Sequence, residues 1–343
     1  MGSGDAIIGL GVLALGAYFV YTGDAQRWIS QLAPQIKLPT VIPQQPQQPQ
    51  PGAAAPPVPQ RTSTGGGGGN RTDRTNLSFT GSGYTSTYHL YAGGLDWSNS
   101  VGLLVYTDGS AEYGLKNPKD SYLMAGGNGM IAVAKKHNMV LLTPFAPNKS
   151  CADGDGSCWY QGDPPGYTRW LESLIRQVQS QYPIDRRRVA FGGYSSGAQL
   201  CTEYWVPSGA AQRTMTGGVI VAISFGGSPK MAEVAYTPAF KSNVHMNWNV
   251  GQKDDAYLIN DETEGPAQGY NAKAGYDHYT RAGFKTSINV IPNADHDRDG
   301  EFGGIMDAQI SSHVAPAGAR AMAAAIMTGA YDGEQMPFRL TIA

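Results

Sequence analysis

Charge is scarce in this chain. Acidic and basic residues make up 15% of its 343 residues, and 27 acids against 25 bases leave a net charge of −2. With so little charge and so small a net value, nothing resembles the electrostatic footprint of a nucleic-acid binder. Cysteine is scarcer still, with three residues at 151, 158 and 201. No second cysteine pair and no neighbouring histidine accompany Cys151 and Cys158, so a tetrahedral zinc site lacks ligands. No repeat recurs along the chain, which excludes a solenoid. Glycine is abundant at 45 residues, and 19 tyrosines outnumber 9 phenylalanines, a balance that suits a loop-rich extracellular protein.

Cys151 and Cys158 bracket a short loop of Ala, Asp, Gly and Ser. A disulfide would close that loop and imply an oxidising compartment; two free thiols are the alternative. Cys201 shares a helical face with Ala198 and Trp205 and reads as a small buried hydrophobe.

One long uncharged run exists, residues 6–21. At ~1.5 Å per helical residue it is slightly short for a full bilayer crossing. Its small residues suit close helix packing in lipid, and the acidic Met-Gly-Ser-Gly-Asp start does not suit a signal peptide. A membrane or virion-embedded helix is the favoured reading, ahead of an atypical export signal or a helix packed in an assembly. Arg27 and Lys37 follow the run and pull its C-terminal side toward the cytoplasm, against the disulfide argument.

The chain is long enough for one large α/β domain with appendages, or two smaller domains. Four segments are expected. Residues 1–22 form the hydrophobic helix, an anchor in a membrane or assembly. Residues 23–40 form a short helix, capped by Asp24 and stopped by Pro34, with an extension. Residues 41–75 are a Pro/Gln/Gly-rich linker, semi-stiff and then flexible. Residues 76–343 are the catalytic domain.

Within that domain strands and helices alternate, the pattern of a mostly parallel sheet with helices on both faces. Strands are expected over 77–80, 86–91, 101–106, 139–142, 189–191, 219–225, 244–250 and 287–291. Helices are expected over 122–137 and 165–182, after residue 195, and from Pro316. The second is the clearest, because Tyr167, Trp170, Leu171, Leu174, Ile175 and Val178 form one apolar stripe.

The chemistry centres on Gly193-Tyr194-Ser195-Ser196-Gly197, a G-x-S-x-G pattern between a short strand and a helix. A strand that turns at once into a helix strains its central residue, and only glycines let neighbouring backbone pass so closely. That geometry would expose the Ser195 hydroxyl and aim the Ser196 N–H at an oxyanion. The elbow then requires an acid and a histidine at later strand ends, in that order. Asp254 and Asp255 follow strand 244–250, and His296 follows strand 287–291. His296 would take the Ser195 proton and Asp254 would hold the imidazole, with Asp255 in reserve. His89, His137, His245, His278 and His313 lie inside or beside regular elements and read as surface or core histidines. The second oxyanion donor is assigned to the backbone N–H of Ser110, in the turn after strand 101–106.

Residues 184–197, running from Ile184-Asp185 through an Arg188-Val189 pair into the elbow, resemble the polyhydroxybutyrate-depolymerase-like and feruloyl-esterase-like α/β-hydrolases. Cys158-Trp159-Tyr160 is similar to their Cys-Trp element, and Gly251 to Asp254 to their acid turn. The likeness covers roughly residues 100–300. It implies an α/β-hydrolase fold, a Ser195–His296–Asp254 triad, and Trp159 and Tyr160 near the acyl or aryl pocket. One departure is that the family's strand-end His-Gly appears here as Asp108-Gly109. A carboxylate there opposes developing negative charge unless it is turned away or paired.

Asp295, Asp297 and Asp299 with Gly300 open like a calcium loop, but Met306 stands where a bidentate carboxylate is required. No metal and no cofactor are therefore expected. The sequence reads as a tethered, extracytoplasmic serine esterase, membrane-anchored or virion-associated, or alternatively secreted. Its substrate would be an ester, with polymeric glycans and polyesters among the candidate carriers. Two alternatives stay open: a peptidase or acyltransferase with the same triad, and a silent hydrolase-fold adhesion module.

Overall fold

The computed structural model describes residues 67–119, 121–152, 156–254, 272–297 and 301–317. The apolar run 6–21, the helix expected after Asp24, most of the linker, Asp255 and the helix expected from Pro316 lie outside the described residues. Among those described, no helix is long and apolar enough to cross a membrane.

The sheet has eight strands in the order β1-β2-β4-β3-β5-β6-β7-β8. They are β1 (Arg74–Gly81), β2 (Tyr84–Tyr91), β3 (Val101–Thr107), β4 (Met139–Pro144), β5 (Ile184–Tyr194), β6 (Gly218–Ile223), β7 (Val244–Gly251) and β8 (Lys285–Ile291). β2 runs antiparallel to β1 and β4, and every pair from β4 to β8 is parallel. Helices intervene: α1 (Tyr113–Lys116), α2 (Met130–Lys136), α3 (Pro164–Gln181), α4 (Ser196–Gln199), α5 (Ala210–Thr214), α6 (Pro238–Asn243), α7 (Ala272–Arg281) and α8 (Phe302–His313). This strand order, with a serine elbow after β5, is the α/β-hydrolase fold.

The central strands are apolar on both sides, as a parallel sheet covered by helices requires. Along β3, Leu103 and Val105 join one core cluster while Leu104 and Tyr106 join the other. The first cluster takes the α3 stripe, with Trp170, Leu171, Leu174, Ile175 and Val178 at most 1% exposed. Each such side chain stabilises the fold by about 1.5–3 kcal/mol. Asp163 starts α3 by accepting the Gly166 N–H at 3.0 Å, and Pro164 occupies the first turn. The second cluster packs α2 and α8 on the opposite face.

Four local expectations need correction. The helix expected over 122–137 is confined to α2, because Gly126 turns into the left-handed region at φ +77° and breaks the run. Strand β5 starts at Ile184, not 189. Its charged first half is anchored by Arg188, whose guanidinium donates to the carbonyls of Ala315, Ser100 and His137. The helix after the elbow becomes a π-helix over Leu200–Trp205. Finally, α8 was not expected, since Gly303 and Gly304 are poor helix formers. A Cβ at Gly303 would lie 1.7 Å from the Asn128 carbonyl oxygen, so a glycine there lets α8 dock on the loop before α2.

The chain also joins the domain before residue 76. The Gly69 N–H donates to the Gln181 carbonyl at 3.0 Å, and the Tyr182 hydroxyl donates to that of Asn70 at 2.6 Å.

Candidate active site

β5 ends at the elbow, where Ser195 sits at φ 49° and ψ −114°, a strained conformation for a residue with a side chain. The flanking glycines have measurable steric reasons. A Cβ on Gly193 would meet the Gly197 carbonyl at 2.6 Å, and one on Gly197 would meet the Thr107 carbonyl oxygen at 2.3 Å. The Ser195 N–H donates to Ile223 O at 3.0 Å, which fastens the turn to β6.

The acid and the base arrive from two neighbouring strand ends that are stitched together. Gln252 donates its N–H to Ile291 O and Lys253 to Ala294 O, both at 2.9 Å. Gly251 makes this approach possible, since a Cβ there would lie 2.4 Å from the Ala294 carbonyl oxygen. The result brings Ser195, His296 and Asp254 together. His296 Nε2 stands 3.0 Å from Ser195 Oγ, and His296 Nδ1 stands 2.8 Å from Asp254 Oδ2. The Asp254 side chain is 3% exposed and that of His296 34%, so the acid is enclosed and the imidazole faces the cleft. This arrangement can move a proton from the serine hydroxyl to an imidazole whose tautomer the carboxylate holds.

The residues assigned to the oxyanion hole flank this serine. Ser196 is buried and opens α4. Ser110 lines the same cleft, in a one-turn helix over Ser110–Glu112 that follows β3. Between β3 and this turn, Gly109 passes over the nucleophile. A Cβ there would lie 2.8 Å from the Tyr194 ring and 3.3 Å from the Ser195 Cβ. Asp108, the departure from the family pattern, is buried with its carboxyl pushed up to about 6 by that burial. The N–H groups of Gly109 and Gly114 oppose the shift, the latter donating to Asp108 Oδ2 at 3.0 Å. The carboxylate is thus paired with backbone donors of α1 and of its own turn.

The cleft over Ser195 has a volume of about 530 Å³, and its aromatic wall consists of Tyr113, Tyr122, Tyr160, Tyr194 and Phe225. A larger cavity of about 680 Å³ shares only Tyr122 with it and contains neither the serine nor the histidine. Ser195 and His296 therefore both lie in the smaller one. Tyr160 lines this cleft. Trp159 does not: it is 0% exposed in the core, 6.4 Å from the Trp170 ring. Adjacent side chains on a bent segment point in opposite directions, and the larger ring takes the dry side.

Cys151 and Cys158 form a disulfide with their Cα atoms 5.9 Å apart, and Cys201 is a buried free thiol. In the calcium-like stretch, Asp299 and Gly300 lie outside the described residues. Met306 packs into the core, and no cluster of three metal-ligating side chains occurs among the described residues. Sequence reasoning did not pick out Tyr194, whose ring lies 5.4 Å from that of His296, although it occupies the variable position of the elbow. It also passed over Gln199 and Phe225 in the cleft lining, and Glu112 behind it, while Asp297, weighed only in the calcium-like stretch, lines the cleft as well. Only Gln199, one turn beyond the serine, carried a local signal.

No protein-family model and no curated sequence matches this chain. Solved structures similar to it include a thermostable esterase, at 17% identity and TM-score 0.46 over 70% of this chain and 63% of that one. A lidless α/β serine hydrolase from Xanthomonas campestris is 13% identical at TM-score 0.43, over 71% of this chain and 94% of that one. SOBER1 of Arabidopsis thaliana is 15% identical at TM-score 0.42, over 62% of this chain and 99% of that one. The chain thus spans 63% of the length of the thermostable esterase.

Proposed function

We propose that this chain is a serine carboxylic-ester hydrolase. The observation that carries the reading is the unbroken contact series from Ser195 Oγ to His296 Nε2 at 3.0 Å and from His296 Nδ1 to Asp254 Oδ2 at 2.8 Å. Ser195 Oγ attacks the ester carbonyl as its proton passes to His296 Nε2, and the carbonyl oxygen becomes an oxyanion beside the N–H groups of Ser196 and Ser110. Collapse expels the alcohol, which leaves with the proton from His296. Water then attacks the acyl-enzyme, gives its proton to His296, and the acid departs as the proton returns to Ser195.

The tyrosine-rich wall supports an ester whose acyl or alcohol part presents a flat face, such as an aryl acid or a sugar. Tyr113 and Tyr122 are 68% and 59% exposed at the rim, Tyr113 under the Lys116 ammonium at 4.7 Å and Tyr122 tilted against Phe302, so each keeps ring surface open to a ligand. The disulfide supports an extracytoplasmic site of action, with residues 1–22 as anchor to a membrane or virion. Incubation with a fluorophosphonate probe tests the reading. Covalent labelling that disappears in S195A is the expected result, and a folded parent chain that stays unlabelled would sink it.

A further inference from the structure

The turn that bears Ser110 is held in a conformation its own sequence does not favour. Ala111 and Glu112 both carry positive φ, 65° and 52°, in a region that side-chain-bearing residues rarely enter. Something outside the turn must hold it there. Within it, the Glu112 N–H donates to Gly109 O at 3.1 Å, and Asp108 Oδ2 accepts the Gly114 N–H at 3.0 Å across the turn.

The outside hold converges on Glu112, which is 1% exposed. Its carboxylate accepts the Ala146 N–H from the loop after β4, and at 2.6 Å the hydroxyl of Ser157 from the disulfide loop. Lys149 Nζ approaches to 3.9 Å from the solvent side. Ser157 grips the turn a second time, because its carbonyl accepts the Ala111 N–H at 2.8 Å. Burial pushes the Glu112 carboxyl up to about 7, against the Ser157, Lys149 and Ala146 contacts that favour its charge, and Asp108 adds repulsion.

We propose that Glu112 is a positioning residue for the oxyanion hole. With Ser157 it fixes the backbone on the C-terminal side of Ser110, while Gly109, wedged against Tyr194 and Ser195, fixes the other side. The inference rests on the esterase reading above. It adds that the disulfide loop, through Ser157, belongs to the support of the site although no described residue of that loop lines the cleft.

The test compares E112A, E112Q and S157A in the full chain, using para-nitrophenyl acetate kinetics, fluorophosphonate labelling rates and amide exchange over residues 108–114. Glutamine keeps both hydrogen bonds, its carbonyl accepting from Ala146 and its amide donating to the Ser157 oxygen. E112Q should therefore stay within about threefold of the parent in kcat. E112A should lose about 10- to 100-fold in kcat with KM changed less than about threefold, since removal of a whole oxyanion donor costs roughly 10²–10³. Exchange over 108–114 should accelerate in E112A and not elsewhere. S157A should fall between the two, and it decides the matter if E112A does not fold. Parental kcat in a folded E112A or in S157A would overturn the proposal, as would a loss confined to KM. A parent chain that fluorophosphonate leaves unlabelled overturns this inference and the esterase reading together. A labelled parent with E112A labelled equally fast overturns this inference alone.

Discussion

Gly197 lies directly under the carbonyl of Thr107: a Cβ built on the glycine would stand 2.3 Å from that oxygen. The contact joins the elbow helix to the end of β3, where the oxyanion turn begins. G197A must therefore push the two apart or distort both. Expected outcomes are a loss of about 1–3 kcal/mol of stability by urea unfolding and a fall in ester turnover larger than in proportion to unfolded protein. Unaltered stability would mean that the elbow does not need its second glycine.

The roles of the later strand ends separate cleanly by mutation. H296A should lower kcat/KM by ~10³-fold or more with the fold intact by circular dichroism. D254A should cost at least ~10²-fold, whereas D255A should remain near the parent. A reversed order between the two aspartates would move the acid by one residue.

Glu203, on the π-helical turn after the elbow, is 2% exposed and its carboxyl is raised to about 8, chiefly by burial. A folded-state pKa above the unfolded one means that the native state holds the proton longer. The stabilisation is complete below about pH 4.5 and is lost as pH rises through about 8. Glutamine stays neutral throughout and still accepts the Gly227 N–H. E203Q should match the parent near pH 5 and exceed it at pH 9 by several kcal/mol, at most about 5, because the carboxyl rises from about 4.5 to about 8 and each pKa unit is worth about 1.4 kcal/mol. Thermal melts across that range check it, and parallel parent and variant curves would refute it.

Cys151 and Cys158 close a short loop, and removing such a cross-link costs about 2 kcal/mol in the chain-entropy view. The C151S/C158S double variant should lose about that much stability by denaturant titration. It should also lose kcat more than KM, because Ser157 adjoins Cys158 and holds Ala111 through its carbonyl. Equal kcat in parent and variant would show that the loop keeps its shape without the bond.

What could be read from residues alone were the features that local sterics and periodicity impose. The apolar stripe on α3 marks a helix against a core whatever else surrounds it. The glycines at 193 and 197 mark backbone that comes too close for a Cβ. The chain order of serine, aspartate and histidine, each after a strand, left few candidates for the site. Local composition misled where neighbours decide. Gly303 and Gly304 weaken a helical pattern, and the loop at Asn128 supplies the reason for one of them; the charged residues before 189 stood outside the expected strand, and the three distant segments whose carbonyls receive Arg188 hold them in β5. Trp159 and Tyr160 are adjacent in sequence, and only packing shows which ring faces the cleft. Glu112 gave no sign of its place, because its partners Ala146 and Ser157 lie 34 and 45 residues away. The separation of 101 positions from Ser195 to His296 makes the same point. Sequence can nominate groups at strand ends, but a hydrogen bond needs a sheet that brings those ends within 3 Å, and that distance is a property of the folded whole.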